Sequence, residues 1–217
     1  MKSAILARKI TPRRFDLSNC GIDGRQAYLL LQGAYETEVI SRGKEPQMDA
    51  DTRRNLEKVS QWMCAKKPIS LALIGKVGNG KTTMMHAVIS LMEYVMQQCG
   101  KLLTGHVRIV HARDIAELYR NSSDQEAQNS KKILEALKNV DVLVIDDIGT
   151  EAPEILNYGN PRRPVEELLQ FRYDLQKSTI ISSNLDVATF REIYGERTSD
   201  RMREQYMTLL YNGNSYR

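Results

Sequence analysis

The chain has 217 residues, 41% of them hydrophobic, which is enough for one sizeable core and a small extension. Its 31 basic and 27 acidic residues leave a formal charge of +4, too mild a balance to argue a nucleic-acid partner by itself. No apolar run approaches the roughly 20 residues needed to span a bilayer, and the N-terminus lacks the apolar centre of a secretory signal. Cys20, Cys64 and Cys99 lie far apart and match no zinc or redox spacing, so a reducing, cytoplasmic setting and no membrane partner are expected.

In chain order, Lys2, Arg8, Lys9, Arg13 and Arg14 precede the first acid, Asp16, and form a basic arm. It reads either as a phosphate contact or as a solvated tail. A helix is predicted over 24–42, with Asp23 as N-cap and Gly43 just past its end, and a second over 51–66 with Leu56, Val59 and Met63 on one face. The organisation expected is therefore a short extension (1–45: arm plus one helix) followed by one main domain (46–217). From Pro68 onward, apolar runs at 69–74, 107–111, 141–146, 179–183 and 206–211 alternate with helical stretches at 81–98, 113–120, 126–139 and 164–177. That alternation is the signature of a parallel sheet covered by helices. Pro164 suits a first helical turn. The segments 121–130 and 149–164 read as loops.

One loop carries chemistry. Gly75-Lys76-Val77-Gly78-Asn79-Gly80-Lys81-Thr82, followed by Thr83, fits G-x-x-x-x-G-K-[ST] at every fixed position and sits between a predicted strand and a long helix. The glycines let the backbone wrap inward and aim N–H groups at phosphate oxygens, and the helix opening near Lys81 adds its positive end. Lys81 can face the β- and γ-phosphates, and the Thr82 hydroxyl can ligate Mg²⁺. The methionines that follow (Met84, Met85, Met92, Met96) read as core packing.

A triphosphate pocket also needs a metal ligand and a way to activate water. "VDVLVIDDIG" (140–149) ends a buried strand in Asp146, a candidate Mg²⁺ ligand, and Asp147, a candidate to polarise water; an acidic helix cap is the plainer alternative. Asn184 follows the 179–183 strand and either reaches the γ-phosphate or only forms a turn, before a helix that Asp186 could cap. Arg197, Arg201 and Arg203 lie on a predicted short helix, with Arg197 and Arg201 four apart on one face. They are candidate phosphoryl-stabilising cations or simply a solvated face.

Taken together, "GKVGNGKTT", "NVDVLVIDDIG", "SSN" before a helix, "GERTSDRMRE" and the terminal "NSYR" make residues 50–217 resemble the DnaC/IstB-like AAA+ ATPases, which are bacterial replicative helicase loaders and transposition helpers. The resemblance implies a P-loop NTPase of the AAA+/ASCE kind: a three-layer α/β/α fold around a parallel five-stranded sheet of order 5-1-4-3-2, without a separate C-terminal lid. It makes Lys81 and Thr82 the Walker A pair, Asp146 the Walker B aspartate, Asp147 the water-activating acid and Asn184 the sensor. It also makes Arg201 a finger acting on a neighbouring subunit's ATP, with Arg197 as its supporting or substitute partner. Helices over 113–139 would face single-stranded DNA, making Arg113, Arg120, Lys131 and Lys132 candidate phosphate contacts.

ATP and Mg²⁺ are the implied cofactors. The implied function is a DnaC-like helicase loader in DNA replication, hydrolysing ATP, binding single-stranded DNA, and assembling through ATP at subunit interfaces. Its partner would be a replicative helicase or a transposase. Three alternatives stay open: an IstB-like transposition helper, a slow ATP-gated adaptor, and a small-molecule kinase on the same scaffold.

Overall fold

The computed structural model describes residues 15–99, 107–120, 124–157 and 159–211. The basic arm from Lys2 to Arg14, positions 121–123 of one predicted loop and the "NSYR" terminus lie outside the described residues.

Helix α1 (Gly24–Ser41) opens on a reciprocal cap: the Gln26 N–H donates to Asp23 Oδ1 at 2.8 Å, and the Asp23 N–H donates to Gln26 Oε1 at 3.0 Å. It ends where Gly43 takes a left-handed φ of 71° and the Lys44 N–H returns to the Val39 carbonyl at 3.3 Å. Helix α2 (Ala50–Cys64) starts on Asp49, whose carboxylate accepts from the Thr52 N–H at 2.7 Å. There follow β1 (Ser70–Gly75), α3 (Lys81–Cys99), β2 (Val107–His111), α4 (Ala112–Arg120), α5 (Asp124–Asn139) and β3 (Val142–Ile148). The chain continues through β4 (Ile155–Asn157), β5 (Asn160–Arg162), α6 (Pro164–Asp174), β6 (Ser178–Ser183), α7 (Val187–Gln205) and β7 (Tyr206–Tyr211).

Five strands form one parallel sheet of order β2-β3-β6-β1-β7. The expected order 5-1-4-3-2 counts five strands, whereas seven occur among the described residues; β4 and β5 pair antiparallel outside the sheet and shift the numbering. Side chains alternate across the sheet as strand geometry requires. Leu71, Leu73, Val142, Val144 and Ile180 face α1, α2 and α3, whereas Ala72, Ile74, Leu143, Ile145 and Ile181 face α4 to α7. The result is three layers, α/β/α.

The methionine run behaves as core. Met84, Met85 and Met92 are fully buried, and so are Leu31 of α1 and Leu56 of α2 in the same cluster. Each large apolar side chain buried this way contributes about 1.5–3 kcal/mol. Helix α1 is thus packed into the core that surrounds α3, through Ala27, Leu31 and Tyr35.

The structure departs from the sequence reading at several places. Helix α5 already begins at Asp124, inside the predicted loop 121–130. The β4–β5 hairpin occupies the predicted loop 149–164; its three-residue strands are too short to carry a period. Helix α6 stops at Asp174 instead of reaching 177, and Gln176 just beyond it takes a left-handed φ of 51°. The predicted short helix at 194–205 is the second half of α7, which starts at Val187 on the Asp186 cap and breaks at Gly195 (φ 82°, ψ 162°). Among the described residues no helix follows β7, and none is long and apolar enough to cross a membrane.

Candidate nucleotide-binding site

The carboxyl ends of β1, β3 and β6 meet at one cleft of about 670 Å³, which suits a nucleotide in size. Val77, Gly78, Asn79, Gly80, Lys81, Thr82 and Thr83 line it together with Asp146, Asp147 and Asn184. Gly75 and Lys76 are not in the lining. Instead, their carbonyls accept hydrogen bonds from Lys81 Nζ at 2.5 and 2.7 Å, so the ammonium is folded back into the loop it belongs to.

The loop owes its shape to glycine and to a distant strand. Gly78 and Gly80 take φ of 90° and 82°, which a side chain rarely tolerates. Asn79, 4% exposed, donates from Nδ2 to the Tyr211 carbonyl of β7 at 3.0 Å. A Cβ on Gly75 would meet that same carbonyl at 2.3 Å. Gly75→Ala must therefore push the loop or the edge strand aside, at about 1–3 kcal/mol of stability. A lower thermal midpoint together with weaker ATP binding is the expected outcome, read by thermal unfolding and titration calorimetry.

The acidic pair needs its own device. Consecutive strand residues point to opposite faces, yet Asp146 and Asp147 line the same cleft. The β3–β6 register shifts between Ile145 and Ile148, and Asp147 takes a left-handed φ of 56°. This bulge turns both carboxylates one way. It is stitched to β6: the Asp147 N–H donates to Ser182 Oγ at 2.9 Å, and the Ser182 hydroxyl in turn donates to Asp146 Oδ1. Asp146 is 4% exposed, with its other oxygen 4.0 Å from His111 Nδ1 at the end of β2.

The turn that follows is equally constrained. A Cβ on Gly149 would meet Leu185 at 2.5 Å, the Gly149 N–H donates to Glu151 Oε2 at 2.9 Å, and the Tyr194 hydroxyl donates to Glu151 Oε1. Burial and that carboxylate push the Tyr194 phenol well above its usual range, so it remains a donor.

The loop has the strained φ values and the lysine of a phosphate cradle, and Thr82 shares the cleft with the buried Asp146 carboxylate. These residues fit a nucleotide with a divalent cation.

The arginines do not join them. Arg201 is folded against α6, its Nη2 3.0 Å from Asp174 Oδ1 and its guanidinium 4.6 Å above the Tyr173 ring, while Nη1 is buried without a hydrogen-bond partner. Arg197 is exposed, and neither residue lines the cleft of its own chain. Arg113, Arg120, Lys131 and Lys132 are all exposed on α4 and α5, with Arg120 paired to Glu117 at 2.6 Å.

Sequence reasoning missed Ser182, His111, and the contribution of Tyr35, Val39 and Arg42 to the cleft. The strand pattern held a signal for the first, since a serine inside an apolar strand must find a partner when buried.

A family model described as IstB-like ATP binding protein matches residues 44–217. The chain belongs to the IstB-like ATP-binding protein family. Within the curated proteins, the replicative helicase loader DnaC of Escherichia coli (strain K12) is 26% identical over 151 residues, covering 68% of this chain and 56% of that protein. The DnaC of Buchnera aphidicola subsp. Baizongia pistaciae is 28% identical over 157 residues, covering 70% of this chain and 58% of the relative. The chain thus spans little more than half the length of the curated relatives it matches.

Solved structures agree on the fold. A crystal structure of the DnaC helicase loader superposes with a TM-score of 0.60 at 21% identity, covering 82% of this chain and 98% of that one. DnaI gives 0.57 at 19%, covering 79% and 88%, and AMPPCP-bound DnaA from Aquifex aeolicus gives 0.53 at 17%, covering 78% and 50%. The IstB-like chain therefore has the AAA+ P-loop architecture that its motifs imply.

Proposed function

We propose that this IstB-like protein is a Mg²⁺-dependent ATPase that serves as a DnaC-like assembly factor in DNA replication. The observation that carries the reading is the convergence, in one cleft, of the 77–83 loop, the bulged Asp146–Asp147 pair and Asn184. Lys81 leaves its two loop carbonyls for the β- and γ-phosphates, and the loop amides with the N-terminal end of α3 take the remaining charge. Thr82 and Asp146 would hold Mg²⁺, which when bound would neutralise charge on the phosphate oxygens. Asp147 accepts the proton of the attacking water as its oxygen bonds to the γ-phosphorus, and the bond to the β-phosphate oxygen breaks to release ADP. Asn184 orients that water or the γ-phosphate.

Arg201, supported by Arg197, acts on the ATP of a neighbouring copy. Its absence from the lining of its own cleft supports a role in trans, and such a role requires the Asp174 contact to open. Arg113 and Arg120, seven residues apart on one face of α4, with Lys131 and Lys132 of α5, offer phosphate contacts to single-stranded DNA. The partner on this reading is a replicative helicase. The resemblance to IstB-like transposition helpers implies a second client, a transposase, served by the same chemistry.

Purified protein with Mg·ATP is expected to form ADP without any added acceptor, faster with single-stranded DNA; absence of turnover under both conditions defeats the hydrolytic reading. Mixing Lys81→Ala with Arg201→Ala subunits is expected to restore part of the hydrolysis that each loses alone. No recovery on mixing would rule out action across subunits.

A further inference from the structure

The cleft is larger than a polyphosphate requires, and a second set of residues lines the remainder. Tyr35 and Val39 come from α1 and Arg42 caps its C-terminal end, with Lys44, Glu45 and Gln47 from the turn after it. The three residues are spaced four and three apart, so the cap carries on the face that Tyr35 and Val39 share. That face continues the stripe Ala27–Leu31–Tyr35, by which α1 is packed into the core around α3. Packing on the helix that opens at Lys81 brings the last turn of α1 to the phosphate loop. All three residues precede position 44, where the family match begins.

Their chemistry differs from that of the loop. Val39 is half-buried and apolar. Arg42 presents a planar guanidinium held in place by Glu38, whose Oε1 accepts from Nε at 3.0 Å and Nη2 at 2.6 Å. An apolar contact beside an oriented planar cation suits a flat heteroaromatic ring and adds little for bare phosphate oxygens already served by the loop.

We propose that the end of α1 is the nucleoside wall of this cleft, the base lying against Val39 and the Arg42 guanidinium. The inference rests on the reading of the 75–83 loop as the polyphosphate cradle. It makes the helix N-terminal to the family segment a specificity element of the ATP site, and it ties that helix to occupancy of the cleft.

Affinities for ATP and for inorganic tripolyphosphate, which lacks the nucleoside, separate the two halves of the cleft. Titration of the full chain is expected to show ATP binding well above tripolyphosphate. Arg42→Ala and Val39→Ser should each weaken ATP about five- to twentyfold and leave tripolyphosphate within about twofold. Lys81→Ala should weaken both ligands. Equal wild-type affinities for the two, unchanged ATP binding in Arg42→Ala, or a proportional loss for tripolyphosphate would each overturn the assignment. The Lys81→Ala result reports separately on the cradle. Val39 touches the core, so unfolding midpoints without nucleotide accompany that variant; Arg42 is exposed and decides the matter if Val39→Ser fails to fold.

Discussion

Lys81→Ala is expected to reduce ATP affinity by two orders of magnitude or more and to abolish turnover. The residue is 5% exposed, and its ammonium donates to two loop carbonyls at 2.5 and 2.7 Å. Those two bonds hold the loop in shape, and on the proposed function phosphate oxygens replace the carbonyls as acceptors. The variant loses both the clasp and the cation. Each charge-assisted hydrogen bond contributes about 1.5–3 kcal/mol, so losing two corresponds to roughly 10²–10⁴ in affinity. Arginine at this position is not a rescue, because a planar fork cannot occupy the space of a compact ammonium between two carbonyls. Calorimetric titration with Mg·ATP, alongside a thermal unfolding curve to establish that the fold is retained, measures the effect. A variant that still binds ATP within a few-fold of the wild type would remove the basis of the proposed function.

Arg172→Met is expected to be the most destabilising single change outside the cleft. The residue is 1% exposed and sits where the last turn of α5 meets β3 and β6. Its Nη1 donates to the carbonyls of Leu137, Lys138 and Val140 at 2.8, 3.2 and 2.9 Å, Nη2 to those of Asp141 and Ser178 at 3.4 and 2.6 Å, and Nε to Thr179 Oγ1 at 3.0 Å. One guanidinium thus satisfies the carbonyls that the end of α5 leaves without helical partners, and it complements the negative end of that helix. Burial lowers its pKa to about 10, which still leaves it charged at neutral pH.

Methionine matches the volume and strands several buried acceptors at once. A loss of about 3–5 kcal/mol follows from breaking such a network. Arg172→Lys should recover only a fraction, since one ammonium cannot span acceptors on three elements. Urea or guanidinium denaturation of both variants provides the test. A midpoint unchanged in Arg172→Met would mean that water replaces the guanidinium.

The contrast between these two residues explains what was legible. Lys81 announces itself because its role is local: the glycines, the lysine and the threonine act within eight consecutive positions, between a strand and a helix whose periods are plain. The place of Asp146 and Asn184 in the cleft was readable for a similar reason, each standing at the end of an apolar run. Arg172 was not, because its partners lie on the end of α5, on the link from α5 to β3 and on β6, and an arginine on an amphipathic helix looks like any solvated charge. The Asp147 bulge was invisible because a register shift belongs to two strands at once. Helix α1 was readable from its caps and period, but nothing local states which cleft its last turn will reach. Arg201 was named, yet its folding onto Tyr173 and Asp174 depends on how α7 turns at Gly195.

The bond from Asn79 to Tyr211 has a temporal meaning. Every side chain proposed to touch the triphosphate in its own chain's cleft has been synthesised by residue 184, but the loop is moored to β7 at the sheet's rim. A ribosome still threading residues 206–211 therefore holds a domain whose cradle is chemically complete and mechanically slack. On the proposed function, competence to take up nucleotide arrives with β7, when that edge strand pairs with β1.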